Sequence, residues 1–123
     1  MTGTILLVDD DAGVLGTFRA WLQLEGCQVR TASNGEAALA QLGGVDAIVL
    51  DVRMPVLDGL GFLRRLRALD ARMPVVVVTG DYLIEQPVLD EIERLGARLM
   101  FKPLWLDDLI ALAGEMIGQT VPV

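Results

Sequence analysis

Four continuous apolar runs, each ending in a chemically capable residue, constrain this chain more than any other feature. Ile5-Leu6-Leu7-Val8 leads into Asp9-Asp10-Asp11, Ala47-Ile48-Val49-Leu50 into Asp51, Val75-Val76-Val77-Val78 into Thr79, and Leu99-Met100-Phe101 into Lys102-Pro103. Runs that are apolar throughout, rather than alternating, suit strands buried on both faces, as in the middle of a parallel sheet. Open α/β sheets gather their ligands in the crevice at the carboxyl ends of the strands. In one such sheet the carboxylates, the hydroxyl and the ammonium converge.

Helical patterns fill the intervals. Val14, Leu15, Phe18, Trp21 and Leu22 recur at helical spacing before Gly26, and Asn34 is a candidate cap for a helix with Ala38, Leu39 and Leu42 inward and Gly43-Gly44 at its end. Gln28 to Ala32 reads as a short strand between them. Pro55 and Asp58-Gly59 mark a loop before a helix carrying Phe62, Leu63, Leu66 and Leu69, with Arg64, Arg65 and Arg67 read as its solvated face. Pro87 opens a helix through Val88, Leu89, Ile92 and Leu95 that stops at Gly96, and Leu106, Leu109, Ile110, Ala113 and Ile117 form a closing helix, with Gln119 to Val123 frayed. Five strands strictly alternating with five helices predict an α/β fold: a doubly wound, five-stranded parallel sheet in a three-layer (βα)5 sandwich of the flavodoxin-like type. No internal repeat or linker divides it, so residues 1–123 read as one domain.

Hydrophobic residues make up 53% of the 123, and the mean hydropathy is +0.50. No apolar stretch nears the roughly 20 residues that span a bilayer. The opening Met1-Thr2-Gly3 lacks the basic region and long apolar core of a secretory leader, so a cytoplasmic location is the default expectation. A net charge of -7 argues against nucleic-acid binding by this domain. Cys27 is the only cysteine and there is no histidine, which excludes an internal disulfide, a Cys-rich zinc site and any His-ligated metal.

Singly, each polar residue at a strand end has a structural explanation. Asp9, Asp10 or Asp11 could cap the first helix, Asp51 could begin an Asx turn, Thr79 could bond the backbone, and Lys102 could be a surface charge. Together at the ends of strands one, three, four and five they make a site. Crowding Asp9, Asp10 and Asp51 raises the proton affinity of at least one carboxylate, and a divalent cation relieves that repulsion. An oxygen-only donor set suits Mg²⁺ rather than zinc.

With these residues in view, the chain resembles a response-regulator receiver domain of two-component signalling. The segment Asp51-Val52-Arg53-Met54-Pro55-Val56-Leu57-Asp58-Gly59 is similar to the phosphoacceptor segment of that family. Leu6 to Asp11, Asn34 to Leu39, Thr79-Gly80, Gly96-Ala97 and Lys102-Pro103 match in the same order. The resemblance implies that Asp51 accepts a phosphoryl group from a phosphohistidine on a sensor kinase or phosphotransfer protein. It implies Mg²⁺ held by Asp9, Asp10, Asp51 and the backbone carbonyl of Arg53, with Thr79 and Lys102 contacting the phosphoryl group. It further implies a cis Lys102-Pro103 bond, no turnover of a diffusible substrate, and output to a downstream effector, a covalently linked output domain or a second copy of the chain, with Trp105 and Leu106 as candidate contacts.

Most receivers carry an aromatic residue three positions before the lysine; here that position is Leu99. The loop after Thr79 is about two residues longer than usual and holds Tyr82, Leu83 and Ile84. Tyr82 is expected either to pack over the site or toward Leu99, or to join Leu83 and Ile84 in a partner contact. Arg53 and Asp81 flank the acceptor and could pair across its mouth. Three other functions share these features: a phosphorylation-independent interaction module on the same fold, a Mg²⁺-dependent phosphatase, and an FMN binder. The last is disfavoured because three carboxylates stand where a Gly-rich loop would cradle phosphates.

Overall fold

The computed structural model describes residues 2–52, 58–80 and 82–120. Ten elements alternate: β1 (Thr4–Val8), α1 (Ala12–Leu24), β2 (Gln28–Ala32), α2 (Gly35–Leu39), β3 (Ala47–Asp51), α3 (Gly59–Leu69), β4 (Val75–Thr79), α4 (Gln86–Arg94), β5 (Arg98–Phe101) and α5 (Leu106–Thr120). The strands are parallel throughout, in the order β2-β1-β3-β4-β5. Successive strand residues face opposite ways, so each apolar run feeds two cores. Leu6, Val8, Ile48, Leu50, Val75 and Val77 pack with Ala38, Phe62, Leu63, Leu66 and Ile92 of α2, α3 and α4. Ile5, Leu7, Ala47, Val49, Val76 and Val78 pack with Leu22 of α1 and Leu109, Leu112, Ala113 and Met116 of α5. The expected three-layer, flavodoxin-like sandwich is thus observed.

The local signals act as expected at most boundaries. Asn34 caps α2 by accepting from the Ala37 amide, Pro87 sits in the first turn of α4, and Gly26 takes a φ of +90° just beyond α1, where side-chain-bearing residues are strained. Three readings need correction. Helix α2 ends at Leu39 rather than at the Gly43-Gly44 pair: the Gln41 amide donates to the Ala38 carbonyl three residues back, the Gln41 side chain takes the Ala37 carbonyl, and Arg30 holds the carbonyls of Gln41 and Gly43 beyond the helix. Leu69, expected inward, is 72% exposed at the last position of α3. The arginines of α3 are more than a solvated face: Arg64 grips Glu91 of α4 through two bonds, and Arg67 donates to the carbonyls of Leu95, Asp70 and Met73. Pro55, Arg53, Asp81 and the stretch 121–123 lie outside the described residues.

Candidate functional site

The carboxyl ends of β1, β3, β4 and β5 bring four expected residues together. Asp9 follows β1, Asp51 closes β3, Thr79 closes β4, and Lys102 follows β5. Asp9, Asp51 and Thr79 are buried, at 6%, 9% and 1% exposure. Asp10 is exposed, yet one carboxylate oxygen from each of Asp9, Asp10 and Asp51 lies within 4.8 Å of the others. The Lys102 ammonium stands 3.4 Å from Asp9 Oδ2 and 3.6 Å from Asp51 Oδ2. Asp51 pairs with Val78 and Thr79 with Phe101 in the sheet register, so neighbouring strands end level around the cluster. Beneath it, Val14, Leu15 and Phe18 of α1 close an apolar recess of about 10 Å³, room for a single water.

Helix capping resolves which aspartates are available. Asp11 caps α1, its Oδ1 accepting from the amides of Gly13 and Val14 at 2.8 and 3.2 Å. Asp9 Oδ1 accepts from the Asp11 amide at 3.0 Å, which fixes its orientation toward the cluster. Burial, assisted by the Asp51 charge, holds the Asp9 carboxyl above its ordinary 3.8, although the Asp11 amide and Lys102 pull the other way. Burial alone would lower the Lys102 ammonium, but the Asp9 and Asp51 carboxylates outweigh it and hold the group above its ordinary 10.5. The cluster is therefore an anionic pocket that one lysine only partly neutralises. Three crowded carboxylates with oxygen-only donors fit a hard divalent cation such as Mg²⁺.

Two residues that the sequence singles out take their contacts from the fold. The Gly59 amide donates to Val52 O at 2.7 Å, and a Cβ at Gly59 would stand 2.2 Å from the carbonyl oxygen of Asp51, so glycine alone lets α3 start against the end of β3. Tyr82 was expected over the site, toward Leu99, or in a partner contact with Leu83 and Ile84, and of the two packing expectations neither is met. It instead stacks on Phe101, with ring centroids 5.3 Å apart, while its hydroxyl donates to the carbonyl of Lys102. Leu99 packs against the core on the α4 side. The Lys102-Pro103 bond is cis, as the resemblance implied. Trp105 and Leu106 are exposed, at 65% and 39%. The Arg53 carbonyl and the Arg53–Asp81 pair fall outside the described residues.

Comparison with known proteins agrees with this geometry. The family described as "Response regulator receiver domain" matches residues 5–113. The transcriptional regulatory protein PrrA of Mycobacterium tuberculosis is 39% identical over 109 residues, covering 87% of this chain and 46% of its own length. The response regulator MprA of the same species is 34% identical over 124 residues, covering 99% and 54%. The chain thus spans about half the length of the curated relatives it matches. Among solved structures, chemotaxis protein CheY4 of Vibrio cholerae superposes with a TM-score of 0.83 at 27% identity, covering 94% of this chain and 99% of that one. NtrX of Brucella abortus gives 0.86 at 29%, covering 98% of this chain and 28% of its own.

Proposed function

The chain belongs to the response-regulator receiver family of two-component signalling, and within that family we propose that residues 1–123 form one domain acting as a phosphorylatable switch at Asp51. The observation that carries this reading is the anionic pocket, in which Asp9, Asp10 and Asp51 converge within 4.8 Å and Lys102 stands 3.6 Å from Asp51. In the proposed reaction a carboxylate oxygen of Asp51 attacks the phosphorus of a phosphohistidine. The P–N bond breaks as the O–P bond forms, and the imidazole leaves. Lys102 offsets charge on the phosphoryl oxygens, and the Thr79 hydroxyl donates to one of them afterwards. Asp9, Asp10, Asp51 and the Arg53 carbonyl would hold Mg²⁺, which when bound neutralises further oxygen charge.

On this reading the chain turns over no diffusible substrate; it assists only its own phosphorylation and dephosphorylation. The added charge stabilises the conformer in which Thr79 and Lys102 close on the phosphoryl group, a population shift felt at partner surfaces. A sensor histidine kinase or phosphotransfer protein supplies the group. A downstream effector, a linked output domain or a second copy of the chain reads it, with the exposed Trp105 and Leu106 as contacts. Among the described residues no helix is long and apolar enough to cross a membrane, which is compatible with action in the cytoplasm.

Intact mass after incubation with acetyl phosphate and Mg²⁺ tests the proposal. The native protein is expected to gain one base-labile phosphoryl adduct and Asp51→Asn none. No adduct on the native chain, or an equal adduct on the variant, overturns it. A shift in gel-filtration volume on phosphorylation would identify dimerisation as part of the output.

A further inference from the structure

The main chain of Lys102 is held at both of its polar groups, by the last residue of β4 and by the segment that follows it. Its amide donates to the Thr79 carbonyl at 2.8 Å. Its own carbonyl accepts from the phenol of Tyr82, three residues beyond Thr79. Phe101, the residue before the lysine, lies under the Tyr82 ring at 5.3 Å between centroids and 21° between planes. Both rings lie at the surface, with Tyr82 65% and Phe101 41% exposed, and neither belongs to the two buried cores, so the stack is not a core contact. What it does is fix the point from which the lysine stem departs. Lys102 is the only lysine in the chain, and its ammonium is the one cation found against both Asp9 and Asp51 among the described residues.

We propose that Tyr82 is a positioning residue for Lys102. With Phe101 it forms a strap across the end of β5, and its hydroxyl pins the lysine main chain so that the ammonium stays against Asp9 and Asp51. The strap deepens the switch reading and rests on it for its kinetic consequence. A long side chain holds its charge in one place only if its base is held, and each rotamer left open dilutes the productive one. Tyr82 reaches the site through Lys102, because its hydroxyl bonds the lysine carbonyl rather than the ammonium or the carboxylates. The strap also ties the residue after Phe101 to the loop leading into α4, so a movement of Thr79 is passed to the lysine strand without a ring at Leu99.

The test uses Tyr82→Phe, which keeps the stacked ring and removes only the donor. Phosphorylation by acetyl phosphate is expected to slow about three- to tenfold, the range that one neutral hydrogen bond supports. The thermal midpoint and the Mg²⁺ affinity are expected to stay at native values. In a Lys102→Ala background the same substitution is expected to change nothing. Because the chain has one lysine, ¹³Cε-lysine labelling reports on Lys102 alone, and Tyr82→Phe is expected to raise the mobility of that methylene. Unchanged rate and unchanged lysine mobility overturn the proposal, as does an equal slowing in the Lys102→Ala background. If the native protein takes up no phosphoryl group, the switch reading fails separately, and the lysine signal still decides whether Tyr82 holds Lys102.

Discussion

Asp9 is where burial and charge meet most directly. Its carboxyl keeps a proton to higher pH in the folded protein than in the unfolded chain, because burial and then the Asp51 charge raise it above 3.8. Stability linked to this group is therefore fully present below 3.8 and is lost as pH rises through the folded value. At neutral pH the metal-free protein carries that cost. Asp9→Asn removes the charge and keeps the shape, so in chelator at pH 7 its melting temperature is expected to rise. Calorimetry should show the gain shrinking to nothing as pH falls below 3.8; a drop in melting temperature at pH 7 would contradict this account. Sequence reasoning singled out the Asp9-Asp10-Asp11 run but left open which member caps α1. Only the direction of each side chain decides that, and Asp11 takes the cap.

Among the elements, α3 and α4 are joined by two arginines of different worth. Arg67 satisfies three carbonyls, Leu95, Asp70 and Met73, two of which lie beyond its own helix and its cap. Arg67→Ala is expected to lower the unfolding free energy by about 1–2 kcal/mol in urea titrations, since the lost donors leave partly buried acceptors behind. Arg64, more than half exposed, pairs with the partly covered Glu91 at the surface, and Arg64→Ala is expected to move the urea midpoint less than Arg67→Ala does. Equal losses for the two variants would show that the exposed pair holds the helices together. Charge pattern alone gave both arginines the same role, because their reach across to α4 depends on how the two helices dock. The short α2 likewise depends on contacts with a neighbouring strand: Gln41 turns its side chain to the carbonyls of Ala37 and Thr31, and Arg30 of β2 takes the carbonyls of Gln41 and Gly43.

For the molecule as a whole, the proposed Mg²⁺ site draws its residues from several strand ends, so binding there would be coupled to folding. Mg²⁺ at about a hundred times its dissociation constant is expected to raise the unfolding free energy by about 2.7 kcal/mol, provided the unfolded chain does not bind it. Asp10→Asn should remove most of that gain, and a Mg²⁺ response of native size in the variant would place the ion elsewhere. The sequence by itself determined the order of strands and helices, the parallel sheet, and that Asp9, Asp10, Asp51, Thr79 and Lys102 stand at the carboxyl ends of its strands. It could do so because apolar runs, caps and strand-end residues are local signals that the backbone period converts directly into position. Tertiary structure alone decided that Gly59 must lack a side chain beside the Asp51 carbonyl, that Arg67 spans to α4, and that Tyr82 meets Phe101 and Lys102 rather than Leu99. Each of these depends on the approach of segments distant along the chain, and that distance is set by packing, which no local pattern encodes.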